Sequence, residues 1–414
     1  MANGSSVKSV AEPRRQARPV PVHALGISQI LSYGLMFYAM AVLKEPLAVV
    51  SGHSETAILT ILSLALVLQS LVMPIIGGWA DRFGAVKVMR LGFIIGAVGI
   101  ASLGLVTLDG ATPYLGLAIC FFMIGIGLSM STYEMAFSAA VQMDERQSRR
   151  NISIITFYGG VASSLTWVAI HPLLAAFGLL ATCLVISMIL LGCSVLMAVL
   201  AGKNDTPRLA GQTELAPFKW SLLQSSEKKA LLVLGASGGL EYLMFAATSL
   251  LWIGWFQLKF ESLSIAVLLA SSYGPFQTVG RILEMKLGSY FDARVTGLVA
   301  SGIVPLSLIL AQTDQLAMAV VAMALFGMGH GVLTVSFGFI TNLYFRQEIY
   351  GRAKGWVAAP RIAGFALGPG FGGALFALGG DLFMAVMIGM SLAFTALFAC
   401  LLFLKPTNSI HHTP

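Results

Sequence analysis

Three ionisable side chains lie inside long apolar runs of this chain: Glu134, Glu241 and Arg361. At the centre of a membrane helix such a group costs roughly 2.5–3.5 kcal/mol on insertion scales, so each needs a partner or a wet cavity. Arg361 follows Pro360, which loosens the turn around it. Its planar guanidinium matches a carboxylate and reads as an anion-binding group. The plainer alternative is an ion pair between helices, or snorkelling to the aqueous boundary. Glu134 follows Tyr133 at a similar depth, and Glu241 lies near the middle of its run. Desolvation disfavours an ionised carboxyl, so Glu241 is a candidate proton carrier, or else a protonated Glu bonded to a neighbouring helix. His330, between Gly329 and Gly331, is either a buried neutral imidazole or a proton relay and substrate contact. Tyr38, Tyr133, Tyr242 and Gln277 are further ligand candidates that packing explains as readily. Tyr33 and Tyr38 are about one and a half turns apart at ~3.6 residues per turn, so they do not share a helical face cleanly.

Enzyme chemistry finds no support. There is no HExxH, no Cys/His cluster, no Gly-x-Ser-x-Gly elbow and no Walker A run, so no metal, cofactor or ATP drive is expected. The four cysteines sit in apolar runs without a CxxC pair.

The elements that must position these groups follow from composition. Hydrophobic residues make up 57% of 414 and charged residues only 10%, against about 25% charged in an ordinary soluble domain. That excludes a soluble globular protein, a disordered chain and a nucleic-acid binder, and it makes the lipid bilayer the expected surrounding. A bilayer core of ~30 Å needs about 20 apolar residues per helix. Twelve such runs can be read, at 23–43, 57–77, 88–108, 113–137, 152–176, 179–200, 230–256, 263–285, 295–313, 316–341, 354–378 and 382–404. Their length and lack of period-two alternation disfavour a transmembrane barrel. The first run is too long for a signal-peptide core and reads as a retained helix. With the N-terminus in the cytoplasm, Lys44 and Lys259 are the only Lys or Arg outside, and Arg361 lies within a span. The positive-inside rule then places both termini in the cytoplasm and makes the net charge of +7 a topology signal.

The polar stretch 201–229 divides the chain. The expected organisation is an N-terminal tail 1–22, a six-helix half 23–200, a central cytoplasmic loop 201–229, a second six-helix half 230–404 and a tail 405–414. Two matches suggest a repeat. Gly77-Gly78-Trp79-Ala80-Asp81 corresponds to Gly280-Arg281-Ile282-Leu283-Glu284, and Gly125-Ile126-Gly127 to Gly327-Met328-Gly329, at separations that agree within one residue. Parallel halves with a site between them are a known transporter architecture.

Gly77-Gly78-Trp79-Ala80-Asp81-Arg82-Phe83-Gly84 resembles the loop 2–3 signature of the major facilitator superfamily, Gly-x-Leu-Ala-Asp-Arg-x-Gly-Arg-Lys. Trp79 replaces the Leu, and Ala85-Val86 stand where the Arg-Lys pair is usual, with Lys87 one place later. Segments 127–137 and 350–369 are most similar to bacterial members near the monocarboxylate and oxalate carriers. The resemblance implies an all-α membrane protein of twelve helices in two six-helix halves. The first helix of each half would line a cavity, and the fourth and eleventh helices would meet across the halves. It implies that Glu134 and Arg361 pair in one state and part in the other, as a bistable gate. Asp81, with Arg82, would accept from the N-terminus of a partner helix or from an Arg across the halves, stabilising the outward-facing state; Glu284 with Arg281 would do the same in the second half. In organic-anion carriers of this superfamily a cation in the eleventh helix binds substrate, a role that falls to Arg361.

The expected function is secondary active transport of a small solute, an organic anion by the evidence of Arg361, across a bacterial inner membrane. It would proceed by alternating access in a monomer, with a proton or counter-ion as the coupled partner. A drug or metabolite efflux antiporter is the runner-up, since intramembrane charges are few and Phe and Met are many. A membrane sensor built on a transporter body is the remote third reading.

Overall fold

The computed structural model describes residues 20–106, 113–201, 218–288 and 290–407. Most of the expected N-terminal tail, most of the central loop and the end of the C-terminal tail lie outside the described residues. All regular structure among the described residues is helical. Apolar segments in lipid have no water to satisfy their N–H and C=O groups, and a helix satisfies them internally. In chain order the helices are α1 (Val22–Tyr33), α2 (Met40–Ser51), α3 (Glu55–Phe83), α4 (Ala85–Val106), α5 (Tyr114–Ser131), α6 (Tyr133–Met143) and α7 (Ser148–Gly160). Then follow α8 (Ala162–Leu200), α9 (Ser225–Phe260), α10 (Leu263–Leu287), α11 (Ala293–Leu310), α12 (Leu316–Tyr344), α13 (Tyr350–Leu378) and α14 (Gly380–Ala399). Ten stretches among the described residues are long and apolar enough to cross a membrane. Their outer faces carry bare apolar side chains such as Leu71, Val168, Met188 and Leu268, each at least 68% exposed, as a lipid-facing belt requires.

Helix ends use polar caps where the chain leaves the apolar zone. Ser54 Oγ accepts from Ala57 N at 3.1 Å, Asp292 Oδ1 accepts from Arg294 N at 2.8 Å, and Gln224 forms a capping box with Glu227. Gly84, at φ +93°, ends α3 in a conformation that suits glycine.

The helices depart from the apolar runs in three places. The first continues past Lys44-Glu45-Pro46 to Ser51, because a proline there removes only a single backbone donor. The run expected over 113–137 is broken at Thr132, which is extended (φ −83°, ψ −172°) and starts a new helix, α6, with Glu134 in its first turn. A carboxylate there is favoured by the helix dipole. The run expected over 152–176 is broken at Val161, between α7 and α8, whereas Gly178, at φ +73° and ψ 179°, divides α8 at the point expected between the fifth and sixth runs.

Buried apolar side chains form two clusters, one built mainly by α1–α8 and the other by α9–α14. The glycine repeat has a packing meaning. A Cβ on Gly125 of α5 would lie 2.6 Å from Ala65 O on α3, and one on Gly327 of α12 would lie 2.7 Å from Tyr273 O on α10. Small residues let these backbones touch, as in other membrane helix pairs. Helix α13 sits on the seam between the clusters, packed on α9 from one side and on α3 from the other.

Candidate functional site

A cavity of about 440 Å³ lies between the two groups of helices. From α1–α8 it is lined by Tyr33, Phe37, Tyr38, Gln69 and Tyr133. From α9–α14 come Tyr242, Phe245, Tyr273, Gln277, Arg281, His330 and Phe365. Five of the expected ligand candidates, Tyr38, Tyr133, Tyr242, Gln277 and His330, therefore meet at one surface. Their spacing in the chain hid one part of this. Residues 34–38 form a π-helical turn, in which Ala39 N donates to Gly34 O at 2.8 Å. An i→i+5 turn carries one more residue than an α-turn, so Tyr33 and Tyr38 come to the same face, their rings 6.5 Å apart. This corrects the expectation that they diverge.

His330 is held on the opposite wall. Tyr273 Oη contacts its Nδ1, Gln277 Nε2 lies 3.3 Å from the same nitrogen, and Phe245 stacks on the ring at 3.9 Å. Tyr133 donates to Thr156 O at 3.2 Å and stacks on Phe137.

The intramembrane charges separate into paired and unpaired sets. Arg361 donates from Nη1 to Glu134 Oε1 at 3.2 Å and from Nη2 to Tyr242 Oη at 2.8 Å. Its guanidinium lies over the rings of Tyr242 and Phe337, at 4.4 and 4.8 Å. It does not line the cavity; Tyr242 stands between. Lys354 Nζ is 3.6 Å from the other Glu134 oxygen and 4.9 Å above the Phe137 ring. Lys354 reads from the sequence as a loop cation, yet it is 1% exposed. Glu241 is fully buried, and neither carboxyl oxygen has a hydrogen-bond partner among the described residues. Arg281 does line the cavity. Its Nη1 donates to Thr156 O at 2.6 Å, and among the described residues no carboxylate pairs with it.

Below the cavity, on the side of the basic loops, two contacts join the helix groups. Asp81, fully buried at the end of α3, accepts from Gly351 N at 2.8 Å and Arg352 N at 3.1 Å, the first turn of α13. Free N–H groups and the helix dipole both favour a carboxylate there. Gly351 permits the approach, since a Cβ would lie 2.3 Å from Gly77 O. Arg82 is exposed and lies over the Phe83 ring at 5.2 Å.

In the other group, Glu284 is bonded by Arg149 of α7 through Nε at 3.1 Å and through Nη2, and by Thr296 Oγ1 at 3.1 Å. Arg149 also reaches the carbonyls of Gly288 and Phe291. Glu284 thus accepts from an Arg of the other helix group, Arg149, while Arg281, about one turn away on α10, lines the cavity. Nearby, Asp292 at the start of α11 is bonded by Arg294 Nε at 2.9 Å and Nη2 at 2.6 Å. Burial alone pushes its carboxyl up, but the Arg294 hydrogen bonds outweigh this and hold it below the usual range. Asn342 adds a further cross-contact, donating to Glu145 Oε1 at 2.9 Å. Arg149 and Asn342 carry no sequence signal beyond a basic loop and a polar helix end.

Comparison with known proteins follows this geometry. Residues 25–292 match the sequence model of the Major Facilitator Superfamily. No curated protein matches the chain. Among solved structures, the human organic anion transporter MFSD10 (TETRAN) is 13% identical with a TM-score of 0.68, over 92% of this chain and 100% of that one. A bacterial homologue of the iron transporter ferroportin, in an outward-facing state with soaked iron, is 13% identical with a TM-score of 0.69, over 92% and 98%. The transporter FucP in its outward conformation is 12% identical with a TM-score of 0.70, over 92% and 99%. At these identities the likeness is one of fold. The family match spans most of the chain, and the chain belongs to the Major Facilitator Superfamily, as a multi-pass membrane transporter and not an enzyme.

Proposed function

We propose that the protein is a secondary active transporter of a small organic anion, working by alternating access and coupled to protons. The observation that carries the reading is Arg281: a guanidinium that lines the cavity, is 4% exposed, and pairs with no carboxylate among the described residues. A buried cation without a counter-charge is costly, and a solute carboxylate supplies one in bidentate geometry. Arg361 stands one layer behind, its charge engaged by Glu134. The tyrosines, Gln277 and His330 offer hydrogen bonds and ring faces to the body of the solute. The Asp81 and Glu284 contacts, which join the two helix groups on the side of the basic loops, support a state closed to the cytoplasm. Twelve spans in two halves, cytoplasmic termini, a monomer and a bacterial inner membrane complete the proposal.

The aromatic lining, with Phe37, Phe245 and Phe365 among it, also suits an exporter of bulky apolar compounds. A thermal-stabilisation screen separates the two. Purified wild type and Arg281→Gln are heated with a panel of organic anions and a panel of lipophilic cations. Anion shifts that vanish in the variant support the proposal. Shifts from lipophilic cations that survive in it favour export.

A further inference from the structure

Two buried groups on the seam between α9 and α13 have idle polar atoms among the described residues: Arg361, whose Nε has no acceptor, and Glu241, whose two oxygens have no donor. The Arg361 stem crosses Gly238, where a Cβ would lie 2.6 Å from its Cγ and 3.4 Å from its Nε. Glu241 is one turn further along the same face of α9, next to Tyr242, which already accepts from Arg361 at 2.8 Å. The Glu241 carboxyl and the idle edge of the guanidinium thus lie on the same seam, one turn of α9 apart.

The present counter-charge of Arg361 belongs to the other group of helices. Glu134 is on α6, while Arg361 and Lys354, which both face it, are on α13. A parting of the two helix groups on the cytoplasmic side, as alternating access requires, would carry Glu134 away from both cations. A guanidinium this deeply buried is costly to leave without a carboxylate. A carboxyl buried without a donor is held as the neutral acid.

We propose that Glu241 and Glu134 alternate as the counter-charge of Arg361, and that this exchange moves one proton per cycle. With the cytoplasmic side closed, Glu134 holds Arg361 and Glu241 is protonated. On opening, the O–H bond of Glu241 breaks and its proton passes to water on the cytoplasmic side. The electron pair stays on the carboxylate, which accepts from Arg361 Nε. On return, Glu134 reclaims Arg361 and Glu241 takes a proton from water in the outward cavity. The groups near Glu241 are Arg361 from α13, Tyr273 from α10, its neighbour Tyr242 and, beyond Arg361, Glu134 from α6, while His330 of α12 lies against Tyr242 and Tyr273. The ionisable residue of α14 is Asp381, at the far end of that helix. The inference rests on the alternating-access reading and deepens its coupling, and it does not depend on which solute is carried.

The test needs no solute. The full chain, with Cys400→Ser and spin labels on Gln147→Cys and Lys229→Cys at exposed cytoplasmic ends of α7 and α9, is placed in lipid nanodiscs. Distances are measured by electron–electron resonance from pH 5.5 to 8.5. Loss of a proton on opening makes the separated population rise with pH, by roughly threefold or more across that window. Loss of the carboxylate contacts that close the cytoplasmic side would instead weaken it at low pH, a trend of the opposite sign. In Glu241→Gln the rise vanishes and only the opposite trend remains. Arg361→Gln, which leaves Glu241 no cation to take over, must lose the rise too and carries the test if the first variant does not fold. A rise that persists in either variant, or a separated population that falls with pH in the parent, overturns the exchange. A parent with no separated population at any pH overturns alternating access itself, whereas failure of the anion screen touches neither.

Discussion

Arg281 and Arg361 are both buried guanidiniums on helices around one cavity, and they differ in what they touch. Arg361 spends its charge on Glu134 and its second edge on the Tyr242 hydroxyl. Arg281 faces the cavity with a single backbone carbonyl, Thr156 O. The first is satisfied by the protein; under the proposed function it belongs to the gate, and the second meets the solute that enters. The contrast recurs at the closed side. Arg149 is engaged by Glu284, while Arg352, which follows Gly351 in the first turn of α13, has Nε and Nη2 buried without partners among the described residues and lies over the Phe218 ring. Burial of a cation therefore says that it costs something, and its partner says what for.

The contrast breaks most visibly at Glu134. Glu134→Gln leaves two buried cations, Arg361 and Lys354, without their carboxylate, and should destabilise the closed state by about 3–5 kcal/mol. Its unfolding midpoint in detergent should fall sharply, whereas that of solute-free Arg281→Gln should hold or rise, because a charge without a counter-charge has been removed. Arg149→Gln comes next. It leaves the Glu284 carboxylate, 1% exposed, with only the Thr296 hydroxyl, and should cost about 3 kcal/mol. Arg352→Gln should stay within about 1 kcal/mol in the same melt, since no carboxylate is stranded. If the two variants melt alike, the paired and unpaired distinction is wrong. Tyr242→Phe removes one hydrogen bond from Arg361 and should cost about 1 kcal/mol, read as a small midpoint shift with an open-state population slightly raised.

The smallest effect is expected at Asp292, beside the Arg149 contact. Its carboxyl is held below the usual range, so its contribution is complete above the unfolded value near ~3.9 and is lost as pH falls through the lower folded value. Asp292→Asn keeps the helix cap and should lower the midpoint by only a few tenths of a kcal/mol near neutrality. That difference should disappear once both proteins are melted below the folded value.

Much of this was legible beforehand, for physical reasons. The apolar runs located nearly every helix, because a chain in lipid has no other means of satisfying its backbone. The loop carrying Asp81 and the three costly charges could be picked out because their residue types are wrong for their surroundings. Three things were hidden. The π-turn at 34–38 has no composition signal, so Tyr33 and Tyr38 seemed to diverge. Lys354 lies a few residues from a loop, and only the fold of α13 against α6 buries it. An Arg from the other half was expected for Glu284, but nothing in the spacing names Arg149, which arrives from far along the chain. Counter-charges come from tertiary contact, which spacing does not encode.

The most direct measurement is the affinity of one organic anion, taken from the stabilisation screen, for the parent, Arg281→Gln and Arg361→Gln side by side by isothermal titration. A charge-assisted hydrogen bond contributes about 1.5–3 kcal/mol, so Arg281→Gln should raise Kd roughly tenfold to a hundredfold. In the outward-facing state Arg361→Gln should change it by no more than about threefold, since that charge is already held by Glu134. Equal losses in both variants, or a loss confined to Arg361→Gln, would contradict the assignment of Arg281 as the group that meets the solute.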